Sequence, residues 1–342
     1  MTSPKCKVTR QTMSHEMTRQ SQPMAPAARF GAGVTNERSS AEAPSPAGAP
    51  HPFPEQPFHH LDELWIQVAG TICNLTCTHC FVTCGPDETR HAMMTRGEVA
   101  GRVAEGLALG VREVYLTGGE PFLNPELEPI VEDTLAHVPV SILTNGTLFT
   151  ERRIAWLAEC SRRSALALEL RVSLDGLDAA AHDAFRGAGT WARTLRGLVA
   201  LDAAGLLPIV TVTQPAGEDA RGFAARAVAA LRAEGLRTPR LKLLPMFELG
   251  RERTRRAATP GLVMPRDSGS LATLPPEAFD PHRLQCGHTR AVTSQGVFVC
   301  PLLVDEPGGR MADTLADAMR PYPLAHRACG TCWVTGMTCA NT

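Results

Sequence analysis

Between residues 64 and 244, short β-type runs alternate strictly with longer helical runs, and this alternation constrains the fold more than any other feature. The strand runs lie at 64–69, 113–116, 140–143, 170–173, 209–212 and 241–244. Helical patterns fill the intervals at 95–109, 125–136, 151–163, 190–204 and 219–234. A helix between two strands supplies the right-handed crossover that parallel strands require. Repeated strand–helix units predict an α/β fold, as a partial (β/α)6 TIM-like barrel or a doubly wound sheet. Punctuation agrees with the pattern. Thr95 and Glu98 form a capping box, and Asn124 followed by Pro125 reads as an N-cap with proline at the first helical position. Gly110, Gly205 and Gly235 stand where helices should stop.

The flanks have a different texture. Residues 1–58 are rich in Pro, Ala and Ser without hydrophobic period, and read as a disordered leader. The barrel is expected over 59–255, a linker over 256–280 and a small cysteine-rich unit over 281–342. In that last unit, 292–303 reads as a hairpin turning at Ser294-Gln295-Gly296, followed by a short helix near 314–319. A unit this small has too little apolar residue for a core of its own, which predicts that bound ligands hold it together. The formal net charge of -1 gives no general attraction to nucleic acid or anionic lipid. No apolar run is long enough to cross a membrane and no export signal is seen, so a cytoplasmic location is expected. In that reducing setting, eleven cysteines point to metal rather than disulfides.

The sharpest chemical signal is Cys73-Asn74-Leu75-Thr76-Cys77-Thr78-His79-Cys80, directly after the first strand. Three thiolates in one short loop suit three corners of a cubane cluster and leave a fourth iron without a protein ligand. A structural zinc knot would want a fourth donor, for which His79 and Cys84 are candidates. Further motifs follow later strands: Thr117-Gly118-Gly119-Glu120-Pro121, Thr144-Asn145-Gly146-Thr147 and Ser173-Leu174-Asp175-Gly176. All fall at C-terminal strand ends, the edge on which barrels and open sheets build their sites.

Taken together, over roughly residues 61–250, these motifs resemble the radical S-adenosylmethionine (SAM) enzymes. Their three-cysteine loop usually has an aromatic residue where His79 stands. The resemblance implies a 4Fe–4S cluster on Cys73, Cys77 and Cys80, whose open iron binds SAM. It implies reductive cleavage of SAM to a 5′-deoxyadenosyl radical that abstracts hydrogen from a peptide or small-metabolite substrate. A low-potential electron donor such as flavodoxin or ferredoxin is the implied partner. For cofactor contacts it implies Gly118, Gly119 and Glu120 near the SAM ammonium and Ser173 and Asp175 at the ribose. Asn145 is ambiguous, Arg186 is a candidate for the carboxylate, and Phe81 for the adenine. Each has a plainer reading as a turn, a solvated helix end or core. No catalytic acid or base stands out, with Cys84, Glu248 and Asp305 as guesses. The run 251–256, Arg-Glu-Arg-Thr-Arg-Arg, reads as a solvated loop.

The remaining cysteines include Cys286, Cys300, Cys329, Cys332 and Cys339. They resemble the shortened auxiliary-cluster domain called Twitch, a relative of SPASM. That resemblance implies a second 4Fe–4S cluster on Cys286, Cys300, Cys329 and Cys332, with Cys339 as a substitute or a spare. Zinc is the alternative, though zinc sites usually pair two short Cys-x-x-Cys bites and only one exists here. The rival to the whole enzymatic reading is a non-catalytic iron–sulfur or zinc carrier or scaffold.

Overall fold

A computed structural model describes residues 53–215, 217–258, 280, 282 and 284–336. The expected leader up to residue 52, most of the expected linker and Cys339 lie outside the described residues. In chain order the elements are β1 (Glu55–Gln56), β2 (Glu63–Gln67), α1 (Arg96–Ala108), β3 (Glu113–Thr117), α2 (Leu127–Leu135), β4 (Val140–Thr144) and α3 (Glu151–Arg163). They continue with β5 (Leu168–Leu174), α4 (Ala179–Arg186), α5 (Thr190–Ala203), β6 (Ile209–Thr213), α6 (Ala220–Ala233), β7 (Arg240–Leu244) and α7 (Gly250–Ala257). The C-terminal part holds β8 (Thr289–Thr293), β9 (Gly296–Phe298), β10 (Arg310–Ala312), α8 (Leu315–Ala318), β11 (Tyr322–Pro323) and α9 (Arg327–Thr335).

Strands β2 to β7 lie side by side in chain order and every neighbouring pair is parallel. A doubly wound sheet reverses its order partway. Uninterrupted succession is the partial-barrel arrangement, so the sheet decides between the two sequence expectations. Along each strand the side chains alternate. Leu64, Ile66, Val114, Leu116, Val140, Ile142, Leu170 and Val172 belong to the main core that the helices cover. Each such burial contributes about 1.5–3 kcal/mol. The other row carries Trp65, Tyr115 and Arg171, with Trp65 stacked on Tyr115 at 4.2 Å between ring centroids and the Arg171 guanidinium 6.0 Å from each ring.

The capping box at the start of α1 is present, with Glu98 accepting from the Thr95 backbone N–H at 2.7 Å. Gly110, Gly205 and Gly235 end their helices with positive φ. Asn124 does not cap α2, which begins after Glu126 without a side-chain cap. Its Nδ2 instead donates to the carbonyls of Val68 and Met94, both at 2.8 Å, and its Oδ1 accepts from Glu126 N–H. The proline that was to open the helix lies in the turn before it.

Two expectations about the C-terminal half are corrected. The arginine-rich run 251–256 is not a loop but forms α7, with Glu252 buried between Arg255 and Arg256. The tail is not held by ligands alone. Its hairpin turns at Ser294-Gln295 as expected, and β8 pairs parallel with β2, so the tail extends the barrel sheet. Val292, Val297, Val299, Leu302, Leu315 and Trp333 join the barrel's own core.

Candidate cluster and cofactor site

The loop after β2 folds back on itself through backbone bonds from Cys73 N–H to Gly85 O and from Gly85 N–H to Thr71 O. Cys73, Cys77, Cys80 and Cys84 are free thiols, and all four line one cavity at the C-terminal ends of the strands. The same cavity is lined by Phe81, Gly118, Gly119, Asn145, Ser173, Asp175 and Arg186. Residues remote in sequence thus meet on one rim, as expected.

Glycine at 118 and 119 is explained by the loop itself. A Cβ on Gly119 would lie 1.9 Å from the Ile72 carbonyl oxygen, and one on Gly118 would lie 2.9 Å from Ala69 N. Gly118 also has φ +133, a backbone conformation that L side chains rarely adopt. The end of β3 therefore packs directly against the cysteine loop, tied by Gly119 N–H to Gly70 O and Glu120 N–H to Ile72 O.

Glu120 is fully buried and does not line the cavity. Its carboxylate accepts from Thr144 Oγ1 at 2.7 Å, Asn145 N–H at 2.8 Å and Phe122 N–H at 3.2 Å. This joins the ends of β3 and β4. Burial pushes its pKa up against those hydrogen bonds. Asn145 in turn donates from Nδ2 to Asn74 Oδ1 at 2.9 Å and to Cys73 Sγ at 3.8 Å. The Asn-Gly motif steadies the first thiol.

Asp175 Oδ2 receives Arg186 Nε at 2.6 Å and lies 2.9 Å from His79 Nε2. Burial acts to raise the carboxyl pKa, but the Arg186 guanidinium and His79 outweigh it and hold it well below the usual carboxylate range. His79 is thereby turned toward Asp175, not toward a metal shared with its neighbouring thiols. His79 Nδ1, Gln67 Oε1 and Thr211 Oγ1 are buried, belong to residues that line the cavity and have no hydrogen-bond partner among the described residues. Buried polar atoms left in this state cost about 1–3 kcal/mol each unless a ligand meets them.

The thiols differ in electrostatics. Burial pushes Cys73 up to about 12 and also raises Cys77. Cys80 is lowered because the Cys84 thiol and the N–H groups of Cys84 and Val82 hydrogen-bond to its sulfur, while Cys84 is raised by the same pairing. Helix α7 contributes a contact that sequence reading missed. Arg251 donates from Nη1 to Cys77 O at 3.0 Å and from Nη2 to Cys84 O, and its N–H bonds to Cys80 O. Gly250, with φ +49, sits where a Cβ would be 2.6 Å from the carbonyl oxygens of Cys80 and Phe81.

Among the described residues, no three His, Cys, Asp or Glu side chains converge tightly enough to hold a single metal ion. A cubane asks for a wider set, one thiolate at each of its iron corners. Three free thiols on one cavity wall are donors of that kind. In the C-terminal segment, Cys286 is raised first by burial and then by Cys300 and Cys329, and Cys329 by burial and then by Cys300, so the three thiols lie near one another. Cys332 lies one turn along α9 from Cys329. Of the guessed acids and bases, Asp305 pairs with Arg90 at 2.6 Å and His91 at 3.3 Å, and Glu248 with Arg256 at 3.3 Å. Neither lines the cavity, whereas Cys84 does.

A partial parallel barrel with a cysteine-rich loop at the mouth of its first strand defines an α/β enzyme class that handles a cofactor at the strand ends. Residues 68–217 match the family described as the Radical SAM superfamily, a match that supports a radical SAM enzyme. It is 26% identical over 316 residues to a GTP 3',8-cyclase of Rhodopseudomonas palustris (strain TIE-1), covering 89% of this chain and 81% of that one. It is 32% identical over 177 residues to the mycofactocin maturase MftC of Mycobacterium ulcerans (strain Agy99), covering 48% of this chain and 45% of that one. The structure of Streptococcus suis SuiB bound to precursor peptide SuiA matches with a TM-score of 0.55 at 17% identity, over 76% of this chain and 65% of SuiB. The chain thus spans less than half of MftC and less than two thirds of SuiB. Among the described residues no helix is long and apolar enough to cross a membrane.

Proposed function

We propose that Cys73, Cys77 and Cys80 hold a 4Fe–4S cluster and that the cavity beside them binds SAM for hydrogen abstraction from a neutral, largely apolar group of a peptide. When bound, these cofactors supply the electron and the hydrogen-abstracting 5′-deoxyadenosyl radical. The chain's residues hold and shield them. Gly118, Gly119 and Asn145 fix the cysteine loop, and Asp175, aligned by Arg186 and His79, offers its carboxylate to ribose hydroxyls. Arg186 balances the buried carboxylate, and Phe81 offers an apolar face to adenine.

One observation carries the substrate class. Outside the polar side of the cavity, the wall is Val82, Leu143, Met246, Phe247, Pro301 and Leu302. The cavity-lining arginines are Arg171 and Arg186. Arg186 is committed to Asp175, and Arg171 lies under two aromatic rings. This wall suits an apolar peptide side chain better than a nucleotide triphosphate. The peptide named with SuiB and the maturase name of MftC accord with that choice.

Residues 281–342 are read as an auxiliary-cluster unit in which Cys286, Cys300, Cys329 and Cys332 hold a second 4Fe–4S cluster. Cys300 immediately precedes the cavity residues Pro301 and Leu302, which supports electron removal from a substrate at that wall. A low-potential flavodoxin or ferredoxin would reduce the first cluster. Anaerobic reconstitution tests the scheme. About eight irons per chain, falling to about four in Cys329→Ala/Cys332→Ala, are expected. 5′-Deoxyadenosine should form under reductant in the parent and vanish in Cys77→Ala. A parent that binds about four irons and is unchanged by the tail substitutions removes the second cluster. A reconstituted parent that yields no 5′-deoxyadenosine removes the SAM assignment.

A further inference from the structure

Arg290 on β8 is 0% exposed. Its Nε donates to Ala318 O at 2.8 Å, its Nη1 to Cys286 O at 2.8 Å and Thr289 O at 2.7 Å, and its Nη2 to Arg320 O at 2.9 Å. The ring of Phe58 lies beneath the guanidinium, with its centroid 4.1 Å from the guanidinium carbon. Every hydrogen-bond acceptor of this cation is a neutral carbonyl. Among the described residues, no Asp or Glu forms an ion pair with it. Arg186 and Arg256, whose side chains are partly exposed, are each matched by a carboxylate, Asp175 and Glu252.

A buried charge without an opposite charge is costly by several kcal/mol, and carbonyl dipoles and an aromatic face offset only part of that. The groups that share its surroundings are thiols. Arg290 bonds to the carbonyl of Cys286, and Cys286 and Cys300 are its electrostatic neighbours. We infer that Arg290 is the charge-compensating positioning residue of the C-terminal thiolate site, a fixed cation whose counter-charge arrives with the thiolate-bound cluster. The inference rests on the auxiliary-cluster reading above. It has two consequences. The cation favours retention of the anionic cluster. It also favours the reduced state, which carries one more negative charge, and so raises the midpoint potential.

The test uses the full chain carrying Cys73→Ala, Cys77→Ala and Cys80→Ala, so that only the C-terminal site takes iron, with folding checked by circular dichroism. About four irons per chain are expected after anaerobic reconstitution. In this background Arg290→Gln should lower the midpoint potential, read by EPR-monitored titration, by at least a ten-fold shift in the one-electron equilibrium, ~59 mV. It should also shed iron on gel filtration. Arg290→Lys keeps the charge and should hold the parent potential. Phe58→Glu places a carboxylate against the guanidinium while leaving its carbonyl bonds in place, and should lower the potential as Arg290→Gln does. It decides the matter if Arg290→Gln does not fold. A background chain that takes no iron overturns the auxiliary-cluster reading, and this inference with it. Iron retained with the parent potential in the folded Gln and Glu variants overturns the inference alone. So does a Lys variant shifted as far as they are.

Discussion

His79 Nε2 and Asp175 Oδ2 stand 2.9 Å apart, which joins the cysteine loop to the end of β5. Thr78 N–H extends the link by bonding Phe185 O at 2.8 Å, and the Phe185 ring meets the His79 ring edge-on at 5.0 Å. The loop proposed to hold the cluster and the strand end proposed to hold the ribose are therefore tied together directly.

Asp175→Asn cancels the charge that faces both Arg186 and His79. Breaking a buried pair by neutralising one partner costs about 3–5 kcal/mol. Denaturant unfolding of the variant should show a loss of that order. SAM binding by equilibrium dialysis should weaken more than iron content falls. Unchanged SAM affinity in a folded, iron-loaded variant would remove Asp175 from the cofactor site.

Gly119→Ala tests whether the Gly-Gly pair serves the loop or a ligand. Its new Cβ meets the Ile72 carbonyl at 1.9 Å, so the loop must shift. Overpacking of this kind costs about 1–3 kcal/mol. Reconstituted iron at the first site should fall with stability. Full iron with only SAM affinity reduced would instead assign the glycine to the ligand.

Asn124→Ala should destabilise the chain without touching the cavity. It removes the side-chain donor from the Met94 carbonyl and from the Val68 carbonyl, which keeps the Met94 N–H, and frees the Glu126 N–H. An unsatisfied buried group costs about 1–3 kcal/mol. A melting-temperature loss with normal SAM binding is the expected outcome, and a melting curve matching the parent would contradict it.

His182 gives the chain a pH dependence in a readable window. It is buried, with Nδ1 3.2 Å from Asp175 N, and burial first, then Arg186, lower its pKa from 6.5 to about 4. Between those values the unfolded chain binds the proton more readily than the folded one. The contribution of the neutral ring is therefore fully present above pH 6.5 and is lost as pH falls toward about 4. His182→Gln should flatten the stability profile across that interval, measured by urea unfolding at constant ionic strength. An identical slope in parent and variant would show that another group titrates there.

The parallel barrel was readable because its outward strand positions repeat Val, Ile and Leu with period two, and helix stops at Gly110, Gly205 and Gly235 bracket them. The thiol triad was readable because its spacing is local. Long-range partners were not. Nothing around residue 79 announces residue 175, and Glu120 looked like a ligand contact until Thr144 and Asn145 were seen to enclose it. Helix α7 was missed because its run is almost wholly charged and offers no apolar stripe, while its anchor is Arg251 reaching back to the loop carbonyls. The tail misled through its shortness. Its apolar residues are too few in so short a segment for a separate core, though as frequent as in the rest of the chain, and they share the barrel's core instead.

The parallel seat of β8 against β2 leaves the barrel's opening strand with a neighbour on each side. A polypeptide ending after α7 would present Glu63–Gln67 as a bare ladder of amides and carbonyls, open to strand addition by any passing chain. The C-terminal hairpin thus acts as a selvedge, moving the sheet's edge from the strand that leads into the thiol loop to the three-residue β10.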